Sequence, residues 1–223
     1  MTAHTRGKAQ AIRNTNDALS LVQMAEGGLK EITDMITKMR GTAIQAASDT
    51  ISNSERYMLN LQTREFVQQV DQISGTNMLF GHQLLRGKNK KLDLQIDGGS
   101  GKSSRITIGL DDLDQRSTTL GVNQLNLETK QGAQKALEAL DKALEKTSST
   151  AARLGSMQKR FESAVDRLEI DVQNFKIANS RLMDTDYAQT TADYVANKVK
   201  QSATTGAQVQ INDELKQALR LLE

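Results

Sequence analysis

The sequence predicts a mainly α protein, a long antiparallel helical bundle or coiled coil with a small β-hairpin insert. Three observations predict it. Apolar residues recur at alternating three- and four-residue spacings toward both ends of the chain. Between these regions lies a short tract of strict apolar–polar alternation, the period of a strand. The composition suits thin packing: 37% of the 223 residues are hydrophobic, but only 3% are aromatic and none is Trp. Ala, Leu, Ile, Val and Met must then fill the core.

The first helical pattern spans residues 15–46. One row is Thr15, Val22, Leu29, Ile36 and Ala43; the other is Ala18, Ala25, Ile32, Met39 and Ala46. Together they trace a coiled-coil seam. Gly27, Gly28 and Gly41 fall off that seam, toward the outer face. Each glycine costs a helix interior about 1 kcal/mol relative to alanine. Their retention points to close backbone approach on that face, or to a local kink. "SDTISNSER" then breaks the pattern, and Ser52 with Glu55 forms a capping box for a second helix. That helix places Leu59, Phe66, Val70 and Ile73 on one side and fades at Ser74–Gly75.

Residues 76–132 differ. Leu92, Leu94 and Ile96 alternate with polar residues, as do Ile106 and Ile108, around the glycine-rich "DGGSGKSS". This reads as a β-hairpin. Residues 110–132 read as irregular, exposed chain. From 133 the helix signal returns. Leu137, Leu144, Ala151, Val165 and Val172 make one row; Leu140, Leu154, Phe161, Leu168, Phe175 and Leu182 make the other. Gln158, Asn179 and Thr147 are polar seam positions that fix register. Gly155 is a point of interruption. After Leu182 the register stops, since continuing it would put Asp186 and Asp193 on the seam. A new stripe begins with Ala188, Ala192, Val195 and Val199, and a last set follows at Ile211, Leu215, Ala218, Leu219 and Leu222.

Chemical motifs are weak. "GGSGKS" has Ile96 where a phosphate loop needs its first glycine, and "RITIGL" after it reads as strand, not helix. His4 and His82 lie in different segments and form no metal-ligand spacing. "DDLD" (111–114) reads as a solvated acidic loop. Nothing assembles a nucleophile, base and oxyanion donor, so no enzyme, catalytic residue, metal or cofactor is expected. The absence of Cys removes disulfides and thiolate sites. A net charge of +2 with interspersed signs argues against a nucleic-acid partner. No apolar run is long enough to span a membrane. The first residues lack a secretory signal, so the protein is cytosolic or leaves by a route that needs no cleaved signal.

Two segments at opposite ends carry a specific resemblance. "RNTNDALSLVQMAEGGLKEITDMITKMRGTAIQAASDT" (13–50) resembles the N-terminal conserved region of bacterial flagellins. "LGSMQKRFESAVDRLEIDVQNFKIANSRLMDTDYAQTTADY" (154–194) resembles the C-terminal one, and "SGTNMLFGHQLLRG" (74–87) is similar to the passage into the family's β-hairpins. The resemblance implies a secreted structural subunit of the motility filament, exported unfolded. It implies five segments: a remnant of the N-terminal linker (1–14), the N-terminal part of the helical core domain (15–75), a hairpin and loop insert (76–132), the long C-terminal core helix (133–183) and a helix of the inner filament layer (184–223). The family's first long helix is missing, and the family's proline near the end is absent from "VQINDELKQALRLLE".

The implied partners are other copies of the chain, an export chaperone at 187–223, and hook-associated and cap proteins. The core seam is Val22, Leu29, Ile32, Ile36 and Met39 against Leu140, Leu154, Phe161, Leu168, Phe175 and Leu182. Gly27, Gly28, Lys38, Arg40, Gly41 and Thr42 are the candidate inter-subunit or receptor-facing surface. Flagellins sensed by a Toll-like receptor typically carry Arg, Glu and Leu where this chain has Lys38, Gly41 and Thr42, so the resemblance implies weak recognition. Rival readings are a hook–filament junction protein of the same superfamily and a cytosolic coiled-coil module that captures partner helices.

Overall fold

A computed structural model describes residues 2–87, 91–96, 101 and 104–220. The chain divides into two compact units, Thr2–Ile170 and Asp171–Glu223. In the first unit, α1 (Thr2–Ala47) is one unbroken helix. Residues 2–14, expected as linker, are therefore helical, and Ala11 at 3% exposure extends the buried row N-terminally. Every residue of both predicted α1 rows is buried. The helix stops where Arg56 takes over its last carbonyls: Nε donates to the Ala46 oxygen (2.9 Å) and Nη2 to the Ser48 oxygen (2.8 Å).

α2 (Asn53–Thr76) starts at a complete capping box. The Glu55 N–H donates to Ser52 Oγ (3.3 Å), and the Ser52 N–H donates to Glu55 Oε2 (2.7 Å). Val70 is buried, with Leu59, Phe66 and Ile73 packed against the core. β1 (Met78–Leu79) and β2 (His82–Gln83) form a two-residue-loop hairpin through Phe80 and Gly81. β3 (Lys91–Gln95) and β4 (Arg105–Gly109) pair antiparallel, with Leu92 opposite Ile108 and Leu94 opposite Ile106. Most of the glycine-rich connection lies outside the described residues.

Residues 110–129 are not the exposed chain that their irregular spacing suggests. A 3₁₀ turn (Asp111–Leu113) and a short helix, α3 (Ser117–Leu120), bury Leu110, Leu113, Leu120, Val122 and Leu127. Polar side chains, buried at Asn60 and Gln115 and exposed at Asp71, hold this segment down. Asn60 Oδ1 accepts from the Leu127 N–H (3.0 Å), and Asp71 accepts from the Ser117 N–H (2.9 Å) and hydroxyl (2.7 Å). Gln115 Nε2 donates to Thr150 Oγ1 (3.0 Å). Each bond satisfies a group that burial would otherwise penalise.

α4 (Lys130–Arg220) is a single helix, interrupted neither at Gly155 nor at 183–187. The change of seam predicted there is thus not a break in backbone. The boundary between compact units falls earlier, at Ile170–Asp171.

Candidate assembly surface

The buried face of α4 runs Ala133, Ala136, Leu140, Ala143, Thr147, Thr150, Leu154, Phe161, Ala164 and Leu168. One predicted row, at Leu140, Leu154, Phe161 and Leu168, lies on it. The other is displaced by one position: Ala136, Ala143 and Ala164 are buried, whereas Leu137, Leu144 and Val165 flank them and Ala151 is exposed. Small residues on the seam let the helix approach its neighbours closely, and the larger ones pack along the edge. Thr147 is buried and bonds back to the Ala143 oxygen (2.7 Å).

The predicted seam weakens past residue 170. Phe175 is half-buried, and Leu182, expected as a seam residue, is 55% exposed. Beyond it, Tyr187, Tyr194, Val195, Val199, Val209 and Ile211 are all exposed. Ala192 is exposed too, while the side chains of Ala188, Leu215, Ala218, Leu219 and Leu222 lie outside the described residues. Tyr194 lies about two turns beyond Tyr187 and Val199 about one turn beyond Val195, and with Val209 the five fall within an arc of roughly 140° on the helix. The sequence shows this face as a change of register through Ala188, Ala192, Val195 and Val199; Tyr187 and Tyr194 stand at its edge, off that row.

The six candidate surface residues of α1 separate into two groups. Gly27, Gly41 and Lys38 are exposed, and a Cβ on either glycine would meet open space. Gly28 is not on the outer face; it is buried. A Cβ there would strike the Asn77 amide and come within 2.9 Å of Leu85 Cδ1. The missing side chain admits Asn77, whose Nδ2 donates to the Met24 carbonyl at 3.0 Å. Close backbone approach is the reason for this glycine, but the approaching group belongs to the same chain. Arg40 and Thr42 are also committed internally. Arg40 Nε pairs with Asp141 (2.7 Å), and the Thr42 and Thr63 hydroxyls share a bond of 2.9 Å.

No group of three or more His, Cys, Asp or Glu among the described residues could hold a metal ion. None of the helices searched there is long and apolar enough to cross a membrane. Asp49, Glu55, Asp114 and Glu162 all have lowered pKa values, and of these Asp114 is the one that burial opposes most strongly. Burial pushes Asp114 upward, but bonds from the Arg116 side chain, the Thr119 hydroxyl and the Arg116 N–H outweigh it and leave its pKa lowered. These bonds tie the 114–119 corner together.

Residues 1–90 match the bacterial flagellin N-terminal helical region, and residues 137–222 match the bacterial flagellin C-terminal helical region. The chain belongs to the bacterial flagellin family. It is 29% identical over 222 residues to a flagellin of Halalkalibacterium halodurans, covering 100% of this chain and 81% of that one. It is 27% identical over 240 residues to a flagellin of Treponema pallidum, covering 100% and 82%. Its fold is similar to that of Bacillus cereus flagellin, with a TM-score of 0.61 and 24% identity over 70% of this chain and 88% of that one. A protein of Vibrio parahaemolyticus described as flagellar hook-associated shares the fold alone, with a TM-score of 0.62 and 9% identity over 78% and 92%. Flagellins are structural proteins, and this flagellin is a secreted subunit of the bacterial flagellar filament.

Proposed function

We propose that the apolar stripe of residues 187–211 is the face this flagellin buries against neighbouring copies in the filament, while the 2–170 unit folds on its own core. The observation that carries this reading is the exposure of Tyr187 (78%), Tyr194 (65%), Val195 (53%) and Val199 (63%) on one helix. Burying a Val-sized side chain fully is worth about 1.5–3 kcal/mol, so a partner covering several of them gains enough to hold a subunit in a polymer. Before export the same stripe is what a chaperone would cover. Hook-associated and cap proteins would meet subunits at the filament's two ends. The double variant Val195→Asp, Val199→Asp tests the face. It should abolish filaments while leaving the monomer's thermal midpoint unchanged, because neither side chain packs in the monomer. Normal filaments from this variant would contradict the reading.

Recognition by a Toll-like receptor is weak on the same reading. Arg40 is held by Asp141, Thr42 by Thr63, and Lys38 offers no planar fork. In a reporter-cell assay, purified monomer should give little signal, and Lys38→Arg, Gly41→Glu, Thr42→Leu together should raise it. Strong signalling by the unmodified chain would overturn this.

A further inference from the structure

Phe80 is out of place by two measures. It is the first residue of the two-residue loop between β1 and β2, with φ of 50° followed by Gly81 at 77°. Hairpin loops of this kind favour Asn or Gly at that position, because a Cβ is crowded in the left-handed region. Its ring is also 65% exposed. A large aromatic in a conformation that disfavours it, with most of its surface in water, contributes little to the fold of the monomer.

The ring forms one wall of an apolar notch of about 240 Å³, with Leu21 of α1 and Leu92 and Leu94 of β3 on the other walls and Asp17 at the rim. A second exposed apolar surface lies elsewhere on the same chain. Tyr57, Met58 and Leu61 on α2 are 51%, 63% and 38% exposed. They are neighbours on the helix surface, since Leu61 is four residues from Tyr57 and three from Met58. Arg64 follows one turn on. Neither Arg64 nor Asp17 has an ion-pair partner among the described residues.

The knob stands near the start of α2, and the notch lies past its end at Thr76. At 1.5 Å per residue, the helix from Leu61 to Thr76 alone spans about 22 Å. The two surfaces therefore cannot meet within one chain. We infer that the Phe80 notch receives the Tyr57–Met58–Leu61 knob of a second copy, with Asp17 of one chain facing Arg64 of the other. Joining two different surfaces of identical chains is a heterologous contact, which closes into a ring where its rotation closes and builds an open helical polymer where it does not; the filament-subunit reading requires the second. The inference rests on the filament-subunit reading and adds a contact outside the 187–211 stripe.

The native sequence has no Cys, so a disulfide can report the contact directly. The full chain carrying both Leu61→Cys and Phe80→Cys, oxidised in assembled filaments, should give a ladder of linked multimers on a denaturing gel. Each single variant should run as monomer. Phe80→Asn suits the turn, so it should leave the monomer's thermal midpoint unchanged or raised. It should raise the protein concentration needed for assembly at least tenfold. Filaments that form normally with no ladder, or an unchanged assembly concentration for Phe80→Asn, overturn the inference and leave the filament reading intact. A lowered midpoint for Phe80→Asn assigns the ring to the monomer's fold and also overturns it. If the unmodified chain forms no filaments, the filament reading falls and this contact falls with it.

Discussion

Gly28 makes room for the Asn77 amide at the Met24 carbonyl, and Gly27 beside it faces open space. The two positions should respond oppositely to the same substitution. Gly27→Ala should stabilise the monomer by about 0.5–1 kcal/mol through the unfolded chain's lost freedom. Gly28→Ala should destabilise it by about 1–3 kcal/mol, because Asn77 and Leu85 must move away. Thermal midpoints of the two variants, measured in parallel, check this. Periodicity reveals which residues share a helix face. It does not reveal that a second face of α1, carrying Gly28, meets the 77–85 segment. Both α1 rows are legible because each repeats over four heptads. Gly28 was not, because its partner lies 49 residues away in a loop.

At the scale of elements, helices were easier to read than the segment that packs on them. The capping box at Ser52 and Glu55 is local chemistry and is present as read. The β3–β4 pairing follows from period-two alternation, with Ile106 and Ile108 buried. Residues 110–129 lack any period. Their burial depends on distant polar partners at Asn60, Asp71 and Thr150 that no sequence window contains. On α4 the row Leu140, Leu154, Phe161 and Leu168 is buried as its spacing predicts, while on the other row Ala136, Ala143 and Ala164 take the buried places beside Leu137, Leu144 and Val165. Asp114 makes this region sensitive to acid. Its pKa is lowered from the usual value of about 3.8. A carboxylate lowered on folding contributes stability above its unfolded pKa, and that contribution is lost as pH falls through the folded value. Urea midpoints followed from pH 7 to pH 2 should therefore fall below about pH 4, and less steeply in Asp114→Asn. Equal slopes in both proteins would remove Asp114 from the account.

At the scale of the molecule, the two compact units differ in what satisfies their apolar residues. In Thr2–Ile170 a continuous core joins α1, α2, both hairpins, the 110–129 segment and the first part of α4. In Asp171–Glu223 the described apolar side chains past Leu182 face solvent. The sequence announced this difference by a change of register, and the helix carried on regardless because no Pro or cap stops it. The central claim is that 187–211 gains its partners only in the filament. Hydrogen exchange of the backbone amides, in monomer and in filament, tests it most directly. The account predicts rapid exchange over 187–211 in the monomer and slow exchange there in the filament, with 133–168 slow in both. Protection of 187–211 equal to that of 133–168 in the monomer would contradict it, as would rapid exchange of 187–211 in the filament.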